Sequence, residues 1–540
     1  MSTLAAHLPH ATQGRWTVEE KAKHRAVQLE LQAKAPDMDA ASIAEACKHI
    51  RMRPVSGPVY PFGGGPDNTL AGDPAGGSGA NTAGAGANSS AAKAVSARAD
   101  DGFEISVAPM MAWTNRHYRF LARLLTRRTL LYTEMICTST ILHRSKDLEV
   151  FLGYDEIEHP IAVQLGGADP DEMREAAIIC EQWGYDEIDI NVGCPSDRVA
   201  GQGCFGAALM LDHGERVKKI CETVLPVLNV PFTVKCRLGA DDIDKWEDFE
   251  KFVNNVQSSG VTHIIVHARK CFLSGLSPTQ NRTIPPLRYD WVERIARMYP
   301  HIDFSINGGF KTLDEIEEQR ALRLDPSCIG VDGGEREEHK IESTAGKGKD
   351  EESESRAGSI CAASTGDTTG SAESMSGSTS RTLLRGVMVG RAAYQNPWVL
   401  SDVDRRIYGD ENLGLTRRQV VHRYMEYGEQ FIADDILTKN MKPKSTLRAL
   451  VKPLFFLFKG MHSGALFRRV IEEECRKVPL PSFREVVTAG LSVMCESVLD
   501  TPPGPTDPIS RRSFLKEQGS KEEQERDGGI VDQRNKIVVQ

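Results

Sequence analysis

The chain has 540 residues, 40% of them apolar, 6% aromatic and 26% charged, with a formal net charge of −9. This composition supplies a core of ordinary size and excludes wholesale disorder, and the absence of any apolar run of about 18 residues excludes a membrane-spanning helix. Twelve cysteines without a CxxC pair fit neither a disulfide scaffold nor a zinc ribbon and read as reduced intracellular thiols.

At roughly 100–200 residues per domain the length allows two or three domains. Residues 1–52 carry a helical pattern around Thr17 to Met52, with Thr17 as N-cap and Glu20 at capping-box spacing. No apolar h-region precedes it, so no secretory signal is expected. The compartment expected is the cytoplasm, with organelle targeting as the alternative because the first 14 residues lack acids. Residues 53–101, rich in Gly, Ala, Ser, Asn and Pro, read as a flexible linker.

From residue 102 short apolar runs recur at Glu104–Met110, Leu130–Met135, Ile161–Gly166, Glu187–Gly193, Phe232–Leu238, His263–Arg269, Asp303–Gly308 and Gly386–Arg391. Segments between them show helical periodicity, as at Asp171–Trp183, Gly214–Leu225, Trp246–Ser259 and Thr312–Leu324. Strands alternating with helices imply a parallel sheet of the α/β class, with strands buried on both faces. Eight units are the count of a (β/α)8 TIM barrel, here expected over 102–410. An open doubly wound sheet gives no reason for eight.

Residues 332–382 interrupt the rhythm with a Gly/Ser/Thr/Glu-rich stretch, holding 11 acidic and 5 basic residues between Asp332 and Ser380, and read as a disordered insertion. It follows the helix after strand 7, which places it on the face of the barrel away from the strand C-termini. A small all-helical domain is expected over 411–498, with patterns at Arg417–Ala433, Pro443–Phe458 and Gly464–Arg476 and Thr416 as an N-cap. A disordered tail, 499–540, follows. Within the helical domain Ile436 to Val470 contains 8 basic residues, Arg448, Arg468 and Arg469 among them, and no acidic one. A solvated helix face usually carries compensating acids; this stretch suits a polyanion, and the whole-chain charge hides it.

Side chains at strand C-termini face the active site of such a barrel, and here those ends are polar or glycine-rich. They are Pro109-Met110, Gln164, Asn191 with Cys194, Lys235 with Arg237, His267 with Arg269 and Lys270, Asn307-Gly308-Gly309 and Gly390-Arg391. Any one could be a turn glycine or a satisfied buried polar group; all of them at strand ends is a pattern. Gly308-Gly309 and Gly390-Arg391 occupy the usual phosphate corner, where bare backbone N–H groups and a guanidinium hold an anion. One terminal phosphate without a GxGxxG fingerprint suggests FMN, with Gln164 and Lys235 under the flavin ring. Cys194, in a Gly-Cys-Pro turn past strand 4, is placed to donate a proton, helped by nearby Arg198 and Lys235. Cys204, in the same loop, is the lesser candidate and reads as structural. No spacing of His and Cys suggests a metal site.

These residues carry a resemblance. The stretches VAPMMAWTNRHYRFLARLL, LLYTEM, HPIAVQLGG, GYDEIDINVGCPSDRV, CFGAALM, VPFTVKCRLG, IIVHARK, LSGLSP, NRTIPPL, SINGG and GVMVGRAAYQNPW resemble the tRNA-dihydrouridine synthases, in their A-type branch. The match runs from about Ile105 to Arg476 and is broken only by the 332–382 insertion. The resemblance implies an FMN-bound barrel that clamps tRNA together with a helical domain. It implies reduction of the C5=C6 bond of D-loop uridines at positions 20 and 20a, with NADPH reducing the flavin. Hydride would go to C6, and Cys194 would protonate C5. Positions matching flavin contacts are Pro109, Met110, Gln164, Lys235, His267, Asn307, Gly308, Gly309, Gly390 and Arg391. Asn191, Arg269, Lys270 and Arg282 match positions near the uridine or its tRNA, and Arg448, Arg468 and Arg469 add a basic face for tRNA. A monomer is expected. Two alternatives are a flavin reductase of a small pyrimidine, which leaves the basic helical region unexplained, and a non-catalytic tRNA binder, which leaves Cys194, Lys235 and His267 unexplained.

Overall fold

The computed structural model describes residues 102–144, 147–196, 199, 205–322, 382–434 and 441–504. The expected N-terminal helix and linker, all of the insertion but Thr382, and the tail beyond 504 lie outside the described residues, as do Arg198 and Cys204. Eight parallel strands close into a barrel in chain order, from β1 (Glu104–Val107), β2 (Leu130–Cys137), β3 (Ile161–Gly166) and β4 (Glu187–Val192) to β5 (Phe232–Arg237), β6 (His263–His267), β7 (Asp303–Asn307) and β8 (Gly386–Val389). The closing seam pairs Ser106 with Met388 and Val107 with Val389. Several strands end short of the apolar runs that announce them: Pro109-Met110 and Gly390-Arg391 lie just beyond β1 and β8. β2 is longer than expected and carries a bulge between Tyr132 and Met135.

Outward-facing strand residues such as Val163, Ile188, Ile190, Val234, Ile264 and Ile306 are fully buried against the surrounding helices. The inner face differs in kind. β4 alternates Ile188, Ile190 and Val192 with Glu187, Asp189 and Asn191, so the strand is buried on both faces but polar on the inner one. A small apolar plug of Leu130, Tyr132, Ala162, Ile265 and Met388 fills the remaining interior.

The helices start where their sequence says they should. Asp169 caps Pro170–Gln182 by accepting from the N–H groups of Asp171 and Glu172, with Pro170 at the position where its missing N–H costs nothing. Thr312 and Thr416 form capping boxes with Glu315 and Gln419. Helix Leu313–Ala321 ends three residues earlier than its pattern suggested. Across the outgoing chain, Leu383 N–H donates to Leu322 O at 2.9 Å, so both ends of the insertion are tied together beside β8.

The C-terminal region holds helices Arg417–Ala433, Pro443–Val451, Gly464–Glu474, Phe483–Leu491 and Glu496–Leu499. The expected Pro443–Phe458 helix breaks at Lys452-Pro453 into a 3-10 turn, because Pro453 has no N–H for the ladder. The last two helices escaped the sequence reading, although Ser482 and Glu485 stand at capping-box spacing. This region packs on the barrel through Phe120 stacked on Tyr427 at 3.9 Å and through Trp113–Tyr394–Phe456, with centroid separations of 4.6 and 5.8 Å. Lys452 Nζ donates to Ala112 O at 2.7 Å in the loop after β1. No helix among the described residues is long and apolar enough to cross a membrane.

Candidate active site

The C-terminal ends of the strands bring most of the expected residues to one mouth. Cys194 lies two residues past β4, half-buried, and its turn is pinned from both sides. Asn191 Oδ1 accepts from the N–H groups of Gly193 (3.1 Å) and Cys194 (2.9 Å), while Ala207 N–H donates to Cys194 O at 3.0 Å. Gly206 is needed here: it sits at φ 65°, and a methyl on it would come within 2.7 Å of Cys194 O. From β5, Arg237 Nε donates to Gly193 O at 2.8 Å and closes the turn.

Under this turn the floor is a connected polar layer. Asn191 Nδ2 donates to Gln164 Oε1, and Gln164 Nε2 donates to Asp189 Oδ2, each at 2.7 Å. Thr233 Oγ1 lies 3.0 Å from Asp189 Oδ1 and 3.2 Å from Glu187 Oε1, which also accepts from Tyr132. Burial pushes the Asp189 carboxyl up to about 7, opposed by Gln164, Lys235 and Thr233, and pushes Glu187 up to about 8 with the help of Glu104. Lys235 Nζ donates to Asn307 Oδ1 at 3.2 Å, and Asn307 Nδ2 in turn donates to Met388 O at 2.7 Å. Burial lowers Lys235 to about 8, with Asp189 opposing and Arg237 assisting. Burial and four neighbouring cations hold His267 well below its ordinary range, so its imidazole is neutral.

Gly308 and Gly309 follow β7 at φ 117° and 88°, a conformation open to glycine. A methyl on Gly308 would strike His267 Cδ2 at 2.8 Å, so the glycine lets this ring sit against the backbone. Gly390 is different: a methyl there would meet nothing nearer than Ala108 Cβ at 4.0 Å, leaving its backbone open to a ligand. Beside it Arg391 donates to Arg282 O at 3.3 Å. Arg269, Arg282 and Arg391 have no carboxylate partner among the described residues, and Arg269 Nε and Arg282 Nε are buried without a hydrogen-bond partner. Burial first, then the Arg391 guanidinium, lowers the pKa of both. Buried guanidinium donors left open beside a bare glycine backbone fit a phosphate, and the lysine and amides of the floor fit the pyrimidine edge of a flavin. The residues present therefore suit FMN.

Other expected residues stand apart. Lys270 forms an ion pair with Asp244 at 2.5 Å and donates to Asp241 O, so it braces the loops after β5 and β6. Met110 N–H is held by Thr114 Oγ1 at 2.9 Å, which fixes the Pro109-Met110 corner. Arg448 is exposed. Arg468 pairs with Glu472 at 2.9 Å and lies over Phe455, and Arg469 faces Glu473 at 3.9 Å. The acids that compensate these two arginines begin just past the acid-free stretch. Sequence reading missed Asp189 and Thr233, and placed Arg237 at the end of strand 5 without its clasp on Gly193; the signal was the polar inner alternation of EIDINV against FTVKCR. Among the described residues no group of three His, Cys, Asp or Glu side chains is arranged to hold a metal.

The chain is similar to known proteins over most of the barrel and the helical region. Residues 106–331 and 358–482 match the family described as dihydrouridine synthase (Dus). The tRNA-dihydrouridine(20/20a) synthase of Salmonella typhi is 36% identical over 376 residues, covering 69% of this chain and 91% of that protein. Proteins of the same name from Vibrio cholerae and Shewanella oneidensis are 36% and 34% identical over 374 and 372 residues, covering 91% and 89% of their own lengths.

Proposed function

The chain belongs to the dihydrouridine synthase family, and from that premise we propose that it reduces the C5=C6 bond of D-loop uridines at positions 20 and 20a of tRNA. The observation that carries the reading is the Cys194 turn, clasped by Asn191, Ala207 and Arg237 beside the Lys235 floor. Bound FMN, reduced by NADPH, supplies the hydride that C6 receives. Cys194 supplies the proton at C5, and its thiolate takes a replacement from solvent, so each turnover consumes one NADPH and one proton per uridine. Lys235 supplies the fixed cation for the pyrimidine edge of the cofactor, with Asn307 holding its ammonium in place. Arg269, Arg282 and Arg391 take phosphate, and exposed Arg448 extends the face that meets the tRNA backbone, to which Arg468 and Arg469 add less because Glu472 and Glu473 pair with them. The target base leaves its stack to enter the mouth, since neither C5 nor C6 is reachable in stacked RNA.

Dihydrouridine mapping in tRNA from cells lacking this protein tests the reading. Loss at positions 20 and 20a, restored by wild type and reduced on the order of 10²-fold or more with Cys194→Ala, is expected. Unchanged dihydrouridine in cells with no other synthase would remove the tRNA reading in favour of a small-molecule flavin reductase.

A further inference from the structure

Asn191 and Gln164 are amides, and an amide hydrogen-bonds differently at its two ends. The direction of each can be read from the Cys194 side, where two backbone N–H groups, those of Gly193 and Cys194, meet the oxygen of Asn191. The NH₂ of Asn191 therefore faces Gln164, whose oxygen must meet it, and the NH₂ of Gln164 is left facing inward. Only an acceptor completes such a chain, and the group waiting there, fully buried, is the Asp189 carboxyl. Gln164 is itself buried, so water is poorly placed to substitute.

We propose that Asp189 is a positioning residue: through Gln164 and Asn191 it fixes the hydrogen-bond direction of the barrel floor and the backbone turn that presents Cys194. The proposal rests on the reading of Cys194 given above. Asp189 is held for this task by Thr233 on its other oxygen and faces Lys235 from β5 and Glu187 from its own strand. The same chain leaves one unused N–H on the nitrogen of each amide, so both offer donors to a ligand, as the carbonyls of a pyrimidine-2,4-dione require. Without an acceptor at 189 the Gln164 NH₂ is buried unpaired, and relieving it turns the amides against the Gly193 and Cys194 N–H groups, loosening the turn.

The test reads the thiol directly. Full-length protein carrying Asp189→Leu or Asp189→Asn, each alone and combined with Asn191→Ala, is treated with iodoacetamide, and modification of the Cys194 peptide is followed by mass spectrometry. Asp189→Leu is expected to speed alkylation of Cys194 about threefold to tenfold, the range of one net hydrogen bond. Asp189→Asn keeps an acceptor and should stay within about twofold of wild type. In the Asn191→Ala background Asp189→Leu should add nothing, because the chain is already cut. In turnover, kcat falls for the leucine variant while KM for tRNA holds, and asparagine rescues.

A wild-type alkylation rate for Asp189→Leu, or effects of Asp189→Leu and Asn191→Ala that multiply, would overturn the proposal. Should the leucine variant not fold, the isosteric Thr233→Val releases the other oxygen of Asp189. It should speed alkylation about threefold, and a rate within about twofold of wild type would overturn the proposal. Dihydrouridine formation that survives Cys194→Ala would remove the proton-donor reading while the alkylation result stands on its own.

Discussion

Two clusters of buried charge in this barrel are built by opposite rules. Under helix Arg116–Arg123, Arg119 pairs with fully buried Glu158 at 2.6 Å and donates to Thr114 O, while Arg123 donates to the carbonyls of Thr126, Arg127, Thr129, Glu158 and Pro160. The guanidinium groups of Arg119 and Arg123 are both turned to acceptors of the protein itself. At the opposite end of the strands Arg269 and Arg282 keep buried nitrogens open, and Lys235 donates to an amide oxygen, Asn307 Oδ1, with no carboxylate ion pair among the described residues. Donors satisfied by the protein brace the scaffold, and open donors gathered at the strand mouth mark a candidate site.

The contrast can be broken most sharply at Arg119. Arg119→Met leaves Glu158 buried without its cation and should lower the unfolding free energy by about 3–5 kcal/mol, measured by chemical denaturation. Lys235→Met removes a charge that burial disfavours, so stability should hold within about 1 kcal/mol while flavin no longer copurifies. If the two substitutions destabilised equally, the distinction between scaffold and site would be lost.

The pH dependence sharpens the same comparison. Lys235 has a pKa of about 8 in the folded chain against 10.5 for an ordinary lysine. Between those values the unfolded chain holds a proton that the folded chain has released, so Lys235 makes stability rise with pH across that window. Activity should move the other way, falling above pH 8 as the ammonium is lost. Lys235→Met should flatten the stability rise, checked by denaturation at pH 7, 9 and 10.

A smaller effect is expected at Arg282. Arg282→Leu relieves repulsion from Arg391, so stability should change by under about 1 kcal/mol, while the salt slope of tRNA binding drops by about one phosphate contact. Deleting 332–382 should move dihydrouridine formation least of all, because Leu322 and Thr382 bracket it at the far end of β8 from Gly390; a folded deletion variant without activity would refute that placement.

The barrel and its mouth were legible because each strand is a short apolar run closed by glycine or a polar residue, as in Asn307-Gly308-Gly309. Asp189 was not, because a carboxylate in mid-strand acquires meaning only when Gln164 and Thr233 arrive from neighbouring strands. The Arg119–Glu158 pair was hidden for the same reason, since it joins a helix to a distant turn. The pairing of Arg468 and Arg469 with Glu472 and Glu473 is hidden from an acid-free window that ends at Val470.

The bond between Leu383 and Leu322 makes the chain locally indifferent to length. With both ends already fastened, each doubling of the intervening segment adds only about 0.6 kcal/mol of closure entropy. Evolution could therefore lengthen this segment at little thermodynamic cost, and an engineer can do the same: a fluorescent domain or affinity tag spliced between these two residues enters at a joint far from the chemistry, on anchors that are already set.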